Sequence, residues 1–167
     1  MELTKMDRLT LSFQLKILEK LYPEEADYYA QHRKAIEEGY ALHYDWLFEH
    51  LYEELSVEDC KEVLEILDMY RAITFSIEDM EDKTGLDSPF IEFSGFDGNT
   101  ETKQMAYTRY FINDLDRYQE LTYGKERAGF NSHCPLLDKY RGMLAEWKKC
   151  QNPHKLSKEA ILRIVTA

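Results

Sequence analysis

One stretch of this chain places chemically able side chains close together: Arg127, His133 and Cys134, all within residues 127–134. A thiol becomes a good nucleophile when its pKa is lowered. Cys134 stands directly before Pro135 at an expected helix start, where the helix dipole favours the thiolate. His133 beside it is the candidate base. Neighbours in sequence need not face each other, however, and no Gly-x-Ser-x-Gly elbow supports a hydrolase elsewhere.

Arg127 and His133 have five residues between them, the Arg-x(4–6)-His spacing of a class of helical ribonucleases, but they fall in a loop rather than on one helix. A hydrolase or nuclease-like enzyme using residues 127–134 is therefore the alternative. Turn and cap roles are the leading reading, and no residue is assigned as catalytic. Other chemistry has less to stand on. No His follows a Glu by three residues, and no HExxH occurs. His43 and His50 are seven apart, about 10.5 Å along a helix and too far to share one ion, while His50 with Glu54 supplies only two ligands. Gly95-Phe-Asp-Gly98 precedes a helix yet lacks the Lys and Thr of a phosphate loop. Asp97, Asn99 and Glu101 imitate the start of a calcium loop, but Thr102 and Thr108 occupy the positions that need Gly and Glu. Neither a metal nor a cofactor is expected.

The elements that must position these residues read as helices. Thr4 with Asp7 opens the first, and Met6, Leu9, Phe13, Ile17 and Leu21 share one of its faces. Pro23, followed by Glu24 and Glu25, opens a second that should stop at Gly39. Leu42, Trp46, Phe48, Leu51, Tyr52 and Leu55 predict a third before Ser56. Ser56-x-x-Asp59 begins the longest, running to about Met80 and roughly 37 Å, with the β-branched Ile73-Thr74 and Ile77 as its weakest turn. Residues 82–99 break the pattern at Gly85, Pro89, Gly95 and Gly98, and Ile91 and Phe93 allow one short extended segment near residues 90–96. Further helices are expected from Asn99 or Thr100 through Tyr118, from Pro135 through Trp147, and from Ser157 onward. The expected fold is all-α and multihelical, about seven helices in a single domain over residues 1–167. Loop 82–99 is the place for a subdomain junction.

Bulk properties narrow the function. With 44% hydrophobic and 32% charged residues in 19.9 kDa, the chain is neither disordered nor a membrane protein. It carries 21 Lys+Arg against 32 Asp+Glu, a net charge of -11, which disfavours nucleic acid as a partner. The charge is uneven: residues 45–87 hold 14 acids and 3 bases, residues 135–167 hold 7 bases and 3 acids. The basic tail, with Lys148 and Lys149, is the seat of a second alternative, a nucleic-acid-binding regulator. Two solvated faces of unlike sign are the blander reading. Cys60, Cys134 and Cys150 are odd in number and widely spaced, so they read as reduced thiols. The first residues carry acids where a secretory signal would be basic, and no apolar run approaches the ~18–20 residues of a membrane span. A cytoplasmic location without membrane contact is expected.

Twelve tyrosines suit half-buried sites and interfaces, because each has a large apolar ring and a hydroxyl that wants a partner. The runs Leu9-Thr-Leu-Ser-Phe-Gln-Leu-Lys16, Ile36-Glu-Glu-Gly-Tyr40, Phe93-Ser-Gly-Phe-Asp97, Gly129-Phe-Asn131 and Lys139-Tyr-Arg-Gly-Met-Leu-Ala-Glu-Trp147, with Leu156-Ser157, occur in order. Together they resemble the YfbU-like family of small bacterial proteins across essentially the whole chain. The resemblance implies a helical, cytosolic homo-oligomer and supplies no activity or catalytic residue. The expectation is a non-catalytic homo-oligomeric interaction or regulatory protein, with a further protein partner as an option.

Overall fold

Thr4 and Asp7 cap the first helix reciprocally: the Asp7 N–H donates to Thr4 Oγ1 at 3.2 Å and the Thr4 N–H donates to Asp7 Oδ2 at 2.9 Å. The computed structural model describes residues 2–122 and 129–167. The chain divides into two units, Met1–Glu54 and Leu55–Ala167. Loop 82–99 lies inside the second unit.

The first unit is a helical hairpin. Helix α1 (Lys5–Leu21) leads through a 3-10 turn at Pro23–Glu25 into α2 (Ala26–Glu38), which Gly39 ends in the left-handed conformation, φ 78°. The Arg8 side chain ties the two helices together by donating to the Ile36 and Glu37 carbonyls at 2.7 and 2.8 Å. Those carbonyls are end groups that α2 itself leaves unbonded. Ser12 donates to Glu37 at 2.7 Å, and Arg33 pairs with Glu19 at 2.6 Å. The fully enclosed core is small: Leu15, Ile36 and Tyr44, with Leu11, Leu18, Tyr29 and Leu47 partly buried around it.

The helix expected between Leu42 and Leu55 does not form. Ala41–Phe48 is 3-10, and residues 51–56 have no regular structure. His43, Tyr44, Asp45, Trp46 and Phe48 are all indifferent helix formers. The three-residue period also stacks Tyr44 above Leu47, and that edge is the one packed on the core.

The second unit is built around α3 (Val57–Glu78), capped by Ser56 Oγ, which accepts from the Asp59 N–H at 3.0 Å. Val63, Ile66, Leu67, Tyr70 and Ile73 of α3 are wholly buried. Helices α4 (Thr102–Arg109), α5 (Leu137–Trp147) and α6 (Lys158–Thr166) complete the unit. Phe93 and Phe96 from loop 82–99 enter the core against Tyr70 and Tyr140, with ring centroids 5.3 to 5.9 Å apart. Burial of each contributes about 1.5–3 kcal/mol. Gly95 between them has φ 89°, and a side chain there would lie 2.0 Å from the Phe130 carbonyl oxygen. That close approach permits a single parallel bridge, Phe96 with Asn131, in which Phe96 N–H donates to Phe130 O at 2.9 Å. No strand forms among the described residues, so the fold is all-α.

The helix expected through Tyr118 is cut short. Helix α4 ends at Arg109, and Tyr110–Asp114 widens into a π turn closed by Leu115 N–H to Tyr110 O at 3.0 Å. Asp116 and Tyr118 then take left-handed conformations, φ 53° and 52°. Tertiary contacts account for the break. Gln119 Nε2 donates to the Ile112 carbonyl at 2.7 Å, and Tyr118 turns inward beneath the Arg71 guanidinium, 3.9 Å from its ring centroid.

Glu101 connects distant parts of the second unit. Its buried carboxylate accepts from the Leu136 and Leu137 N–H groups at 2.9 and 2.7 Å and from the Asp97 N–H at 2.8 Å. It therefore caps the start of α5 from 35 residues away. Glu101→Ala should lower stability by about 3 kcal/mol in a denaturant titration, since buried donors left unpaired cost ~1–3 kcal/mol each. Asp97 accepts from the Thr100 hydroxyl and N–H at 2.7 and 2.9 Å, which holds its carboxyl below the ordinary value of 3.8. A depressed folded-state pKa stabilises above the unfolded value and is lost as pH falls through the folded one. Asp97→Asn should therefore make the loss of stability below about pH 4 shallower, as followed by thermal midpoint against pH.

Candidate functional site

Of the loop residues singled out by their chemistry, His133 and Cys134 lie in a turn. His133 has φ 57°, and its N–H donates to Asn131 Oδ1 at 2.9 Å. The exposed Cys134 thiol donates to the Ser132 carbonyl at 3.6 Å, and Ser132 Oγ donates back to the Cys134 carbonyl at 2.7 Å. The thiol is thus turned to its own backbone, with no hydrogen bond to His133 among the described residues. Arg127 lies outside the described residues. Gly98 N–H is bonded to Asn131 Oδ1 at 3.0 Å, so the glycine loop is closed by a side chain. His43 lies against Trp46, ring centroids 4.3 Å apart. Among the described residues, no three His, Cys, Asp or Glu converge as metal ligands, and no helix is long and apolar enough to cross a membrane.

The uneven charge resolves inside the second unit. Arg141 grips Glu62 through two bonds of 2.8 and 3.0 Å, Lys148 meets Glu65 at 2.6 Å, and Lys158 meets Asp82 at 2.7 Å. Lys149 pairs locally with Glu146 at 2.5 Å. Much of the basic tail is therefore matched by the acidic segment, leaving fewer cations for phosphates. These are exposed pairs, each stabilising by about 1 kcal/mol or less.

One polar cluster lines an open cleft of about 510 Å³ beside Phe111, Arg117 and Gln119. Tyr118 donates to Asp68 at 2.6 Å, and Arg71 both covers the Tyr118 ring and pairs with Glu120. Burial, then the Asp68 carboxylate, push the Tyr118 hydroxyl well above its usual range, so at neutral pH it is a donor rather than a base. These groups satisfy one another, and the cluster serves to hold the strained turn.

The conspicuous surface is apolar and belongs to the first unit. Met6, Leu9, Phe13, Ile17 and Leu21 are 69, 49, 54, 57 and 65% exposed. The stripe that dominates the sequence of α1 thus faces solvent, while Leu11, Leu15 and Leu18 on another side of the helix pack against α2. Tyr40, Leu42, Trp46, Leu51 and Tyr52 are exposed as well. Of 16 large apolar residues exposed among the described residues, 12 lie in the 54 residues of the first unit, so the exposure is concentrated rather than scattered. The α1 stripe alone presents on the order of 500 Å², near the upper end for the largest patch on a monomer. Beside it runs a shallow groove of about 350 Å³ lined by Lys5, Arg8, Leu9, Phe13, Lys16 and Glu37. The signal was present in the sequence: residues 6, 9, 13, 17, 21 and residues 11, 15, 18 are two apolar rows. A two-helix hairpin can bury one.

Fold and surface together describe an all-α protein with one aromatic-rich core and one hairpin whose apolar face is open. The chain belongs to the YfbU family: the YfbU domain profile matches residues 1–167. It is similar to the UPF0304 protein MJECS11 of Methanocaldococcus jannaschii, 38% identical over 169 residues that span 99% of each chain.

The turn geometry makes two substitutions informative. Cys134→Ser should leave stability within about 0.5 kcal/mol. His133→Gly, which relieves a left-handed φ, should raise it by about 0.5–1 kcal/mol. Denaturant midpoints of both variants check this.

Proposed function

We propose that this protein is a non-catalytic, homo-oligomeric interaction protein of the cytosol, regulatory rather than enzymatic, with Met1–Glu54 as its assembly module. One observation carries the reading: the exposed row Met6, Leu9, Phe13, Ile17 and Leu21 on α1. Each such side chain, half to two-thirds exposed, forgoes about 1–2 kcal/mol that full burial would return. A unit of 54 residues with three enclosed core residues is also of the size at which association commonly completes the core. Exposed tyrosines at 22, 28, 40 and 52 add rings of the type enriched at interfaces. The free thiols of Cys60, Cys134 and Cys150 are in keeping with a reducing compartment. No observation at the described residues 129–134 favours turnover, and the ion pairs of the tail count against phosphate binding.

Light scattering coupled to size exclusion, with native mass spectrometry, tests the reading at micromolar concentration. The wild-type chain should be an oligomer. Phe13→Asp with Ile17→Asp, both on the exposed side of α1, should dissociate it with at least a 100-fold rise in dissociation constant and leave the helical circular-dichroism signal of the second unit in place. A monodisperse wild-type monomer overturns the proposal.

A further inference from the structure

We infer that α1 packs against α1 of a second copy of this chain, near-parallel about a two-fold axis, each exposed ridge seated in a neutral groove of the other. This rests on the homo-oligomeric reading above and names its contact geometry. Spacing, charge and area point to this occupant.

Leu9, Phe13, Ile17 and Leu21 are exposed and stand four residues apart, so they form one ridge inclined about 26° to the helix axis. On one side of it runs the row Met6, Thr10 and Gln14, and on the other Lys16 and Lys20, both again in steps of four. These five residues are exposed too. Thr10 Oγ1 donates to the Met6 carbonyl at 3.0 Å, so its hydroxyl is satisfied within the helix and its methyl is left for a partner. Two ridges of this kind interdigitate when their helix axes cross at about −50°. A two-fold axis running along the ridges lays the central ridges of the two copies side by side. An axis running across them would set ridge on ridge, which does not interlock. The interlocking arrangement is near-parallel, and like residues meet at the same level.

Charge selects the groove. On the lysine side the surface is a shallow groove lined by Lys5, Arg8 and Lys16, and seating a ridge there would take their charges out of water. The groove bounded by Met6, Thr10 and Gln14 carries no charge. Seating there leaves Lys16 and Lys20 of the two copies at opposite rims of the contact, where Lys16 keeps its own Glu37 at 3.3 Å.

Area fits a second copy. A standard interface draws about 800 Å² from each partner, some 56–65% of it apolar, which is about 450–520 Å². The stripe from Met6 to Leu21 presents on the order of 500 Å². It therefore supplies the apolar share of one half-interface, with Gln14 and the lysines as polar rim. A face that carries both ridge and groove is self-complementary, as an isologous contact requires.

The test replaces Phe13, and separately Leu9, by the photo-crosslinking residue p-benzoylphenylalanine in the full chain, with isotopically light and heavy copies co-refolded. Illumination should give mixed-isotope crosslinks from residue 13 to residues 9–17 and from residue 9 to residues 6–13. In a second arm, Thr10→Glu with Gln14→Glu should weaken association about tenfold or more, whereas Lys16→Ala with Lys20→Ala should change it less than about threefold. Inter-copy crosslinks from residue 9 to residues 17–21, or from residue 13 only to elements other than α1, would overturn this pairing and leave the oligomer standing. So would the opposite ranking of the two double variants. A monomeric wild-type chain would remove both.

Discussion

Apolar surface leaves water only where something covers it, and the first unit covers little of its own. Two helices joined by a tight turn share one contact face, so α1 can bury one row of side chains against α2. It buries Leu11, Leu15 and Leu18, helped by Arg8 and Ser12 bonding the end of α2. The larger row, from Met6 to Leu21, remains outside. The 3-10 segment after α2 adds Tyr44 and Leu47 to the core but turns Leu42 and Trp46 outward. A monomer with that face in water leaves part of the hydrophobic stabilisation available to its first unit unused.

The second unit stands in contrast. Helix α3 is buried on most sides, and the aromatic set Tyr70, Phe93, Phe96 and Tyr140 fills the space where the helices diverge. Two buried polar groups there have partners of their own, since Tyr140 donates to the Gly95 carbonyl at 2.8 Å and Ser76 accepts from the Leu156 N–H at 2.9 Å, whereas the buried Thr108 Oγ1 has none among the described residues. Charge that looked like a docking signal along the sequence is spent locally, between α3 and α5 and between Asp82 and Lys158. The described part of the second unit encloses most of its large apolar side chains, and the first leaves most of its own exposed.

Much of the fold was legible in the sequence because the signals were local. Thr4, Ser56 and Ser157 cap helices as their spacing indicated, and Gly39 ends α2. What the sequence misplaced depends on distant partners. Tyr118 leaves helical geometry because Arg71 and Asp68 hold it from α3, and α5 begins where Glu101 reaches across to cap it. The failure at residues 42–55 has a different origin, since an apolar run reads the same whether it becomes a buried helix or an exposed contact segment. The candidate surface was half visible. Periodicity marked Met6 to Leu21 as one face, but not which way it points. At residues 133 and 134 proximity was legible but direction was not: Cys134 turns its sulfur to the Ser132 carbonyl.

The central claim is the proposal that copies of this chain associate through Met1–Glu54 and not through Leu55–Ala167. Hydrogen exchange followed by mass spectrometry across a protein dilution series tests it most directly. Amides of α1 and α2 should exchange faster as concentration falls through the dissociation range, while those of α3 and α5 keep their protection. Equal, concentration-independent protection of α1 and α3 would contradict it.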